Sequence, residues 1–432
     1  MFKTVTVIGA TGTMGRNVAG IFASFGNAKV YMVGRDIEKV KSTLQKTVNS
    51  VRADSISAHL IPADFSMLEQ CVAESDLIFE SSKEDLQVKK DIAVKVASAM
   101  KESALSCTGT SGLSVTEISK CYPENLRKNF FGVHMFNPPY SMSLCEVIPT
   151  EYSDECLLND LKIYLSTVLY RTVVEVKDLP AFLGNRIGFQ FINEALQYAE
   201  KYSDNGGIDY IDAILGPFTG RAMAPLVTSD FVGLDVHKAI VDNIGQNSSD
   251  YANNTFVLPE FVSKLISDGK LGRKVGEGLY KTIRYDDGSK SHMVYDISTD
   301  EYRDTVNYDF SFAKKMRSSF AIGDYKDAFA ELVSNHSQEA EICLTFLLKY
   351  IVYSLYCSSE VGYSASDADD VMATGFNWCP PLAMYEALSM VTDVDKLIRE
   401  YFSNENGIDL EFLLKTIKPS KYDFRLFFKS KM

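Results

Sequence analysis

Apolar residues change their period partway along this chain. Up to Asp178 they come as short β-branched or aromatic runs separated by helical patterns; beyond it they recur mainly at helical spacing. Thr4–Ile8 (TVTVI) has the texture of a strand buried on both faces. It runs directly into Gly9-Ala10-Thr11-Gly12-Thr13-Met14-Gly15, followed by Val18, Ile21, Phe22 and Phe25 at helical spacing. Further strands are predicted at 29–33, 58–61, 76–79, 105–107, 131–136, 144–148 and 172–177, with helices at 37–51 and 86–100. This alternation predicts an α/β, Rossmann-like domain with a doubly wound parallel sheet over residues 1–179.

Asp178-Leu179-Pro180 marks the boundary. Residues 186–202 place Ile187, Phe191, Ala195, Leu196 and Ala199 on one helical face. Short helices and turns follow from Ile208, then a Gly- and Lys-rich loop at 270–281, then a polar stretch at 283–303 in which Asp287-Gly288 suggests a hairpin. From Phe310 the texture is helical again, and 340–357 is strongly apolar. Two passages share an order of features: a long apolar helix, an acidic segment (Asp209 to Asp212; Asp367 to Asp370), a glycine (Gly220; Gly375), and a Pro-Leu step (Pro225-Leu226; Pro381-Leu382). They read as two divergent copies of one unit, giving two all-α helical domains at 180–305 and 306–432.

Chemistry concentrates in the first part. Strand, Gly-rich turn and helix in succession make a site for a dinucleotide pyrophosphate, because glycines allow close approach and the helix start offers free N–H groups. The spacing is G-x-x-G-x-x-G, one residue longer than the common fingerprint. The second strand ends at Gly34, where an acid for the adenosine ribose is usual, and Arg35 follows. This favours a 2′-phosphate and hence NADP, unless Asp36 reaches the ribose instead. Ser82, Glu84 and the segment Thr108-Gly109-Thr110-Ser111-Gly112 fall at carboxyl ends of strands, where ligands of such sheets sit. The stretch 130–150, FFGVHMFNPPYSMSLCEVIPT, reads as two strands joined by a Pro-containing turn, which can bring His134 and Glu146 face to face. A carboxylate beside an imidazole orients it and strengthens it as a base. His134 taken alone reads equally well as a hydrogen-bonded core histidine. Asn185 is open to two readings, a helix cap or a group facing the interdomain cleft.

The composition excludes some classes. With 432 residues, 46% hydrophobic and 23% charged, the chain is an ordinary globular sequence of two or three domains. A net charge of -13 argues against nucleic acid or an anionic membrane as main partner. Eight scattered cysteines without a CxxC pair suggest a reducing compartment and neither a metal cluster nor a disulfide framework. The N-terminus enters a strand at once and no apolar run reads as long enough to span a membrane, so a cytoplasmic location is expected.

Several motifs together resemble the 3-hydroxyacyl-CoA dehydrogenase family over essentially the whole chain. GATGTMG resembles GAGTMG; ESSKEDLQVKK is similar to the E-x-x-x-E-(N/D)-L-x-x-K segment; TGTSGLSVTEIS resembles TNTSSLSITELA. GVHMFNPPYSMSLCEVI, DLPAFLGNRIGFQFINEA and GRKVGEGLYK resemble the family's later motifs, and GFNWCPPLA is similar to the second helical unit that some members carry. The resemblance implies His134 as catalytic base, oriented by Glu146, with Ser111 and Asn185 as polar contacts around the substrate's C3 oxygen and the histidine. It implies cofactor contacts from Gly9, Thr11, Gly12, Thr13, Met14, Gly15, Glu84, Lys89 and Asn137, the last toward the nicotinamide carboxamide; Arg35 joins them only as the candidate for a 2′-phosphate. The sequence departs from the family at the longer Gly turn, at Gly34, and at Gly109 and Gly112, which thin the polar groups around Ser111.

The implied activity is reversible hydride transfer between a (3S)-3-hydroxyacyl-CoA and NAD or NADP, as in fatty-acid oxidation, with no metal. The alternatives are dehydrogenation of a 3-hydroxy acid lacking CoA, and a non-catalytic cofactor-binding role. Lys39, Lys41, Arg273 and Lys274 are candidates for docking the anionic CoA tail, against the plain reading of a solvated face. The family's single-unit members dimerise through the helical domain. A fused second copy would occupy that surface within one chain, so a monomer, or a dimer built differently, is expected.

Overall fold

A computed structural model describes residues 2–51, 53–284, 289–403 and 407–428. The chain divides into two compact units, Met1–Phe182 and Leu183–Met432. The first is built on eight strands: β1 (Thr4–Ile8), β2 (Lys29–Gly34), β3 (Leu60–Asp64), β4 (Leu77–Glu80), β5 (Leu105–Thr108), β6 (Phe130–Met135), β7 (Leu144–Ile148) and β8 (Thr172–Glu175). Their order is β3-β2-β1-β4-β5-β6-β7-β8. All neighbours run parallel except β6 and β7, which form an antiparallel pair. The order reverses between β1 and β4, the switch point at which such sheets open a crevice.

The helices α1 (Thr13–Ser24), α2 (Ile37–Val51), α3 (Leu68–Glu74), α4 (Leu86–Ala99), α5 (Val115–Ser119), α6 (Glu124–Arg127) and α7 (Glu155–Ile163) accompany the sheet. Val18, Ile21 and Phe22 of α1 are fully buried, as their spacing predicts. Phe25 is not: it caps the helix and is 44% exposed, its ring against Tyr170. The third strand begins two residues later than predicted because residues 54–59 coil into a 3-10 turn.

The second unit is mostly helical: α8 (Gly184–Lys201), α9 (Ile208–Ile214), α10 (Pro225–Val232), α11 (Leu234–Asn247), α12 (Glu260–Ser267), α13 (Ser311–Ala321), α14 (Tyr325–Ser334), α15 (Gln338–Glu360), α16 (Ala365–Val371), α17 (Pro381–Ser389), α18 (Val394–Tyr401) and α19 (Leu410–Lys415). The polar stretch after the Gly-rich loop adds a three-stranded antiparallel sheet, β9 (Tyr280–Arg284), β10 (Lys290–Asp296) and β11 (Glu301–Asp304), which a purely helical reading omits. The Asp287-Gly288 turn lies outside the described residues. Contrary to the sequence reading, α15 is long and apolar enough to cross a membrane, but 78% of its apolar window is buried inside the fold. It is a core helix.

The repeated features have matching local structure. Asp212 accepts the N–H groups of Leu226 and Val227 at the start of α10; Asp369 accepts that of Leu382 at the start of α17. Each of those helices has proline in its first turn. Gly220 and Asn377 both adopt the left-handed conformation, at φ 84° and 55°. The residues after them, Arg221 and Trp378, bridge each other antiparallel, and Cys379 N–H donates to the Gly220 carbonyl at 2.6 Å. A Cβ on Gly188 of α8 would lie 2.3 Å from the Phe376 ring, so this glycine lets the second passage pack on the first.

Candidate active site

The site begins at the turn after β1. Gly9 has φ 83°, and a Cβ there would meet the Ser81 carbonyl at 2.2 Å; a Cβ on Gly15 would meet the Gly9 carbonyl at 2.4 Å. Both are glycine because the chain crosses itself. Gly12 differs: a Cβ there would touch only the Gly9 carbonyl, at 3.4 Å, so its outer face is open. Gly12 is the N-cap of α1, and no side chain caps the helix. Thr13, Met14 and Gly15 therefore start a helix whose first N–H groups face a glycine-cleared approach, at the switch point of the sheet. This cradle fits a dinucleotide pyrophosphate.

The extra residue of the turn has a structural counterpart. A Cβ on Gly34 would lie 2.6 Å from Val40 Cγ2 and 2.8 Å from Thr11 Cγ2. The Thr11 side chain thus takes the space that a strand-end acid would need. Asp36 spends one carboxylate oxygen on the N–H groups of Glu38 and Lys39, at 2.9 and 3.3 Å, capping α2. Arg35 between them is exposed.

At the ends of β4 and β5 lies a buried charge network. Lys89, 1% exposed, donates to both oxygens of Glu80 at 3.1 Å and lies 3.5 Å from Glu84. Glu80 also accepts the Ser82 N–H at 2.5 Å and the Thr108 hydroxyl at 2.7 Å. Burial opposes ionisation of Glu80, but Lys89 and these hydrogen bonds outweigh it and hold its pKa below the usual carboxylate value. Glu84 reaches across to accept the Thr110 hydroxyl at 2.5 Å and the Ser111 N–H at 2.8 Å. Lys89 is therefore an internal counter-ion rather than an exposed cation. Thr110 Oγ1 in turn accepts from Leu113 N–H at 3.0 Å, and Asp178 accepts from Ser114, Val115 and Thr116. The Ser111 loop is thus tied at both ends. Gly109 is glycine because a Cβ would meet the Phe79 ring at 2.9 Å.

His134 and Glu146 stand directly opposite in the antiparallel β6–β7 pair. Opposed residues share a face, so the strand register alone brings them together. His134 Nδ1 lies 2.7 Å from Glu146 Oε2; Glu146 is fully buried and His134 is 5% exposed. The carboxylate accepts the Nδ1 proton, which leaves Nε2 as the basic nitrogen. Phe136 and Phe182 flank the imidazole at 4.6 and 5.6 Å. Asn137 is exposed at the turn, in a cis bond to Pro138.

Asn185 belongs to the second unit, where it is the second residue of α8 and buried. The cap position of that helix falls to Leu183, so the capping reading of Asn185 is set aside. Of the docking candidates, Lys41 pairs with Glu38 at 2.7 Å, Lys274 pairs with Asp235, and the Arg273 guanidinium covers the Phe231 ring. Glu80 and Asp178 were not anticipated. A lone acid at the end of a buried strand, nine residues before a lysine on the next helix, is the signal that marks Glu80.

A pyrophosphate cradle at the switch point and a carboxylate-oriented histidine in the same sheet define a dinucleotide-binding oxidoreductase domain. Residues 4–179 match the family model "3-hydroxyacyl-CoA dehydrogenase, NAD binding domain" and residues 182–282 its C-terminal domain. A Deinococcus radiodurans protein named "Probable 3-hydroxyacyl-CoA dehydrogenase" is 31% identical over 300 residues, 65% of this chain and 83% of that protein. A Bacillus subtilis protein of the same name is 26% identical over 368 residues, 83% of this chain; the chain spans only 45% of that relative's length. The crystal structure of 3-hydroxybutyryl-CoA dehydrogenase from Escherichia coli superposes with TM-score 0.70 over 96% of this chain and 99% of that one, at 20% identity, so it shares the fold beyond residue 282 as well. The chain belongs to the 3-hydroxyacyl-CoA dehydrogenase family.

Proposed function

We propose that the protein catalyses reversible dehydrogenation of a (3S)-3-hydroxyacyl-CoA to the 3-oxoacyl-CoA. The observation that carries this reading is the buried His134–Glu146 pair, 2.7 Å apart. When bound, a nicotinamide dinucleotide supplies the hydride acceptor, or in reverse the donor. The residues that would hold it are those of the Gly9–Gly15 turn, with Arg35, Glu84 and Asn137 as further contacts, while Lys89, buried against Glu80, positions Glu84. His134 takes the proton of the substrate's 3-hydroxyl, and Glu146 stabilises the imidazolium that forms. In the other direction His134 returns that proton to the oxygen. Ser111, on its tied loop, and Asn185 carry the oxygen-holding roles implied by their motifs. General-base action contributes about 10²–10⁴-fold, and positioning of the reacting carbons supplies much of the rest.

We further propose that the adenosine end accepts a 2′-phosphate. The space for a strand-end acid is filled by Thr11, Asp36 is engaged in a cap, and Arg35 is exposed beside them. The test is reduction of acetoacetyl-CoA with NADH and NADPH in parallel, on the native chain and on His134→Gln. Turnover by the native chain is expected, with NADPH used at least as well as NADH. The variant is expected to lose about 10²-fold or more in kcat while binding cofactor normally. Unchanged kcat in the variant would sink the role of His134; a tenfold or greater preference for NADH would remove that of Arg35.

A further inference from the structure

The second unit contains a cavity of about 940 Å³ that the proposed dehydrogenase chemistry does not use. It is walled by the end of α9 and the segment after it, by the residues following β11, by α13, by the turn after α16, and by the segment Tyr422 to Phe428. Much of its wall therefore comes from the second repeat. Its walls mix aromatic rings, including Phe218, Phe320, Tyr422 and Phe428, with small apolar and polar side chains.

Arg221 lines this cavity and is 4% exposed. Its guanidinium carbon stacks 3.9 Å from the Phe191 ring centre and 4.7 Å from that of Trp378. Nη1 donates to the Thr219 hydroxyl and carbonyl, at 2.8 and 3.2 Å, while Nε is buried without a hydrogen-bond partner. Among the described residues no carboxylate pairs with it. Among the described lining residues the one acid, Asp212, is occupied by two backbone N–H groups and the Tyr280 hydroxyl. Burial lowers the Arg221 pKa to about 10, which still leaves it charged near neutrality. A second cation on the wall, Arg317, is exposed and lies over the Phe218 ring.

A buried cation without a counter-ion is expensive unless something supplies the charge. The π-faces around Arg221 offset part of that cost but supply no counter-charge. We infer that this cavity is a binding site for a small amphipathic carboxylate, whose head accepts from Arg221 and whose alkyl or aryl body lies against the aromatic walls. A guanidinium edge suits the planar, singly charged carboxylate. The volume is that of an ordinary small-ligand site.

Trp378 is the chain's only tryptophan and stands beside Arg221, so its fluorescence reports on this site. The native chain is titrated with octanoate and, separately, with octanol, its uncharged counterpart. A saturable change in tryptophan emission is expected with octanoate, and about tenfold or weaker binding of octanol, because a hydrogen bond to a charged group is lost. Arg221→Met, checked for folding by circular dichroism, is expected to erase the difference. No saturable response to octanoate, or equal affinity for acid and alcohol, overturns the proposal. Persistence of the preference in folded Arg221→Met also overturns it. If the variant does not fold, the comparison of acid with alcohol on the native chain still decides.

Discussion

At the scale of single residues, the described part of the first unit carries two buried pairs that include a carboxylate, with different work. His134–Glu146 is placed by strand register and offers one basic nitrogen. Glu80–Lys89 has no free valence of that kind; it ties β4 to α4 and, through Glu84, to the loop that carries Ser111. Removing one member of such a pair strands the other in a low-dielectric setting. Glu80→Gln is therefore expected to destabilise the first unit by about 3–5 kcal/mol, less whatever Glu84 recovers for Lys89. Urea unfolding would measure this, and a loss under about 1 kcal/mol would mean that Lys89 finds its counter-charge elsewhere. The His134–Glu146 partnership was legible in the sequence because two strands and a short turn permit few registers. The Glu80–Lys89 pair was not, since the resemblance implied a cofactor contact for Lys89 and nothing in the spacing turned it inward to Glu80.

At the scale of elements, helices of the second unit are pinned by a buried polar chain. His237 of α11 donates from Nε2 to Asn193 Oδ1 of α8 at 2.9 Å. The Asn193 amide is itself spent on the carbonyls of Thr255 and Val257, which fixes its orientation. Nδ1 of His237 then accepts from the Ser229 hydroxyl of α10, at 3.2 Å. Burial drives the His237 pKa down to about 3. The folded state thus keeps this ring neutral while the unfolded chain protonates it below its ordinary value of 6.5. Between about 6.5 and 3 the unfolded state binds more protons, so this group's contribution to stability is lost as pH falls, by up to roughly 1.4 kcal/mol per unit. Buried Asp212, Asp230 and Asp369 act in the opposite sense: desolvation raises them to about 7, 6 and 6, so they favour the folded state as pH falls. The native curve mixes these signs. The difference between native chain and His237→Gln isolates the histidine: the native advantage is expected to shrink steadily from pH 6.5 to pH 4 in paired denaturation curves. A constant difference across that range would mean that His237 is not held neutral.

At the scale of the molecule, the two passages of the second unit that share an order of features meet one another. Arg221 and Trp378, at corresponding positions, pair backbone to backbone, and Gly188 admits the Phe376 ring. The resemblance implies that single-copy members pair through this unit, and we propose that the second passage covers that surface within one chain. A monomer of 48.2 kDa is therefore expected from size exclusion with light scattering, independent of protein concentration. A stable dimer would require another interface.

What the sequence determined by itself was local and periodic. It set the alternation of β1 to β5 with helices, the glycine turn at the head of α1, the opposition of His134 and Glu146, and the recurring order of features in the helical part. Each of these follows from spacing along the chain, which a periodic backbone converts directly into direction. What only the tertiary structure decided depends on close approach between distant residues. Thr11 filling the space beside Gly34, Lys89 turning inward to Glu80, α15 being a core helix, and Arg221 left without a carboxylate in an aromatic cavity are all of this kind. Excluded volume and desolvation set them, and both act only once segments far apart in sequence share the same space.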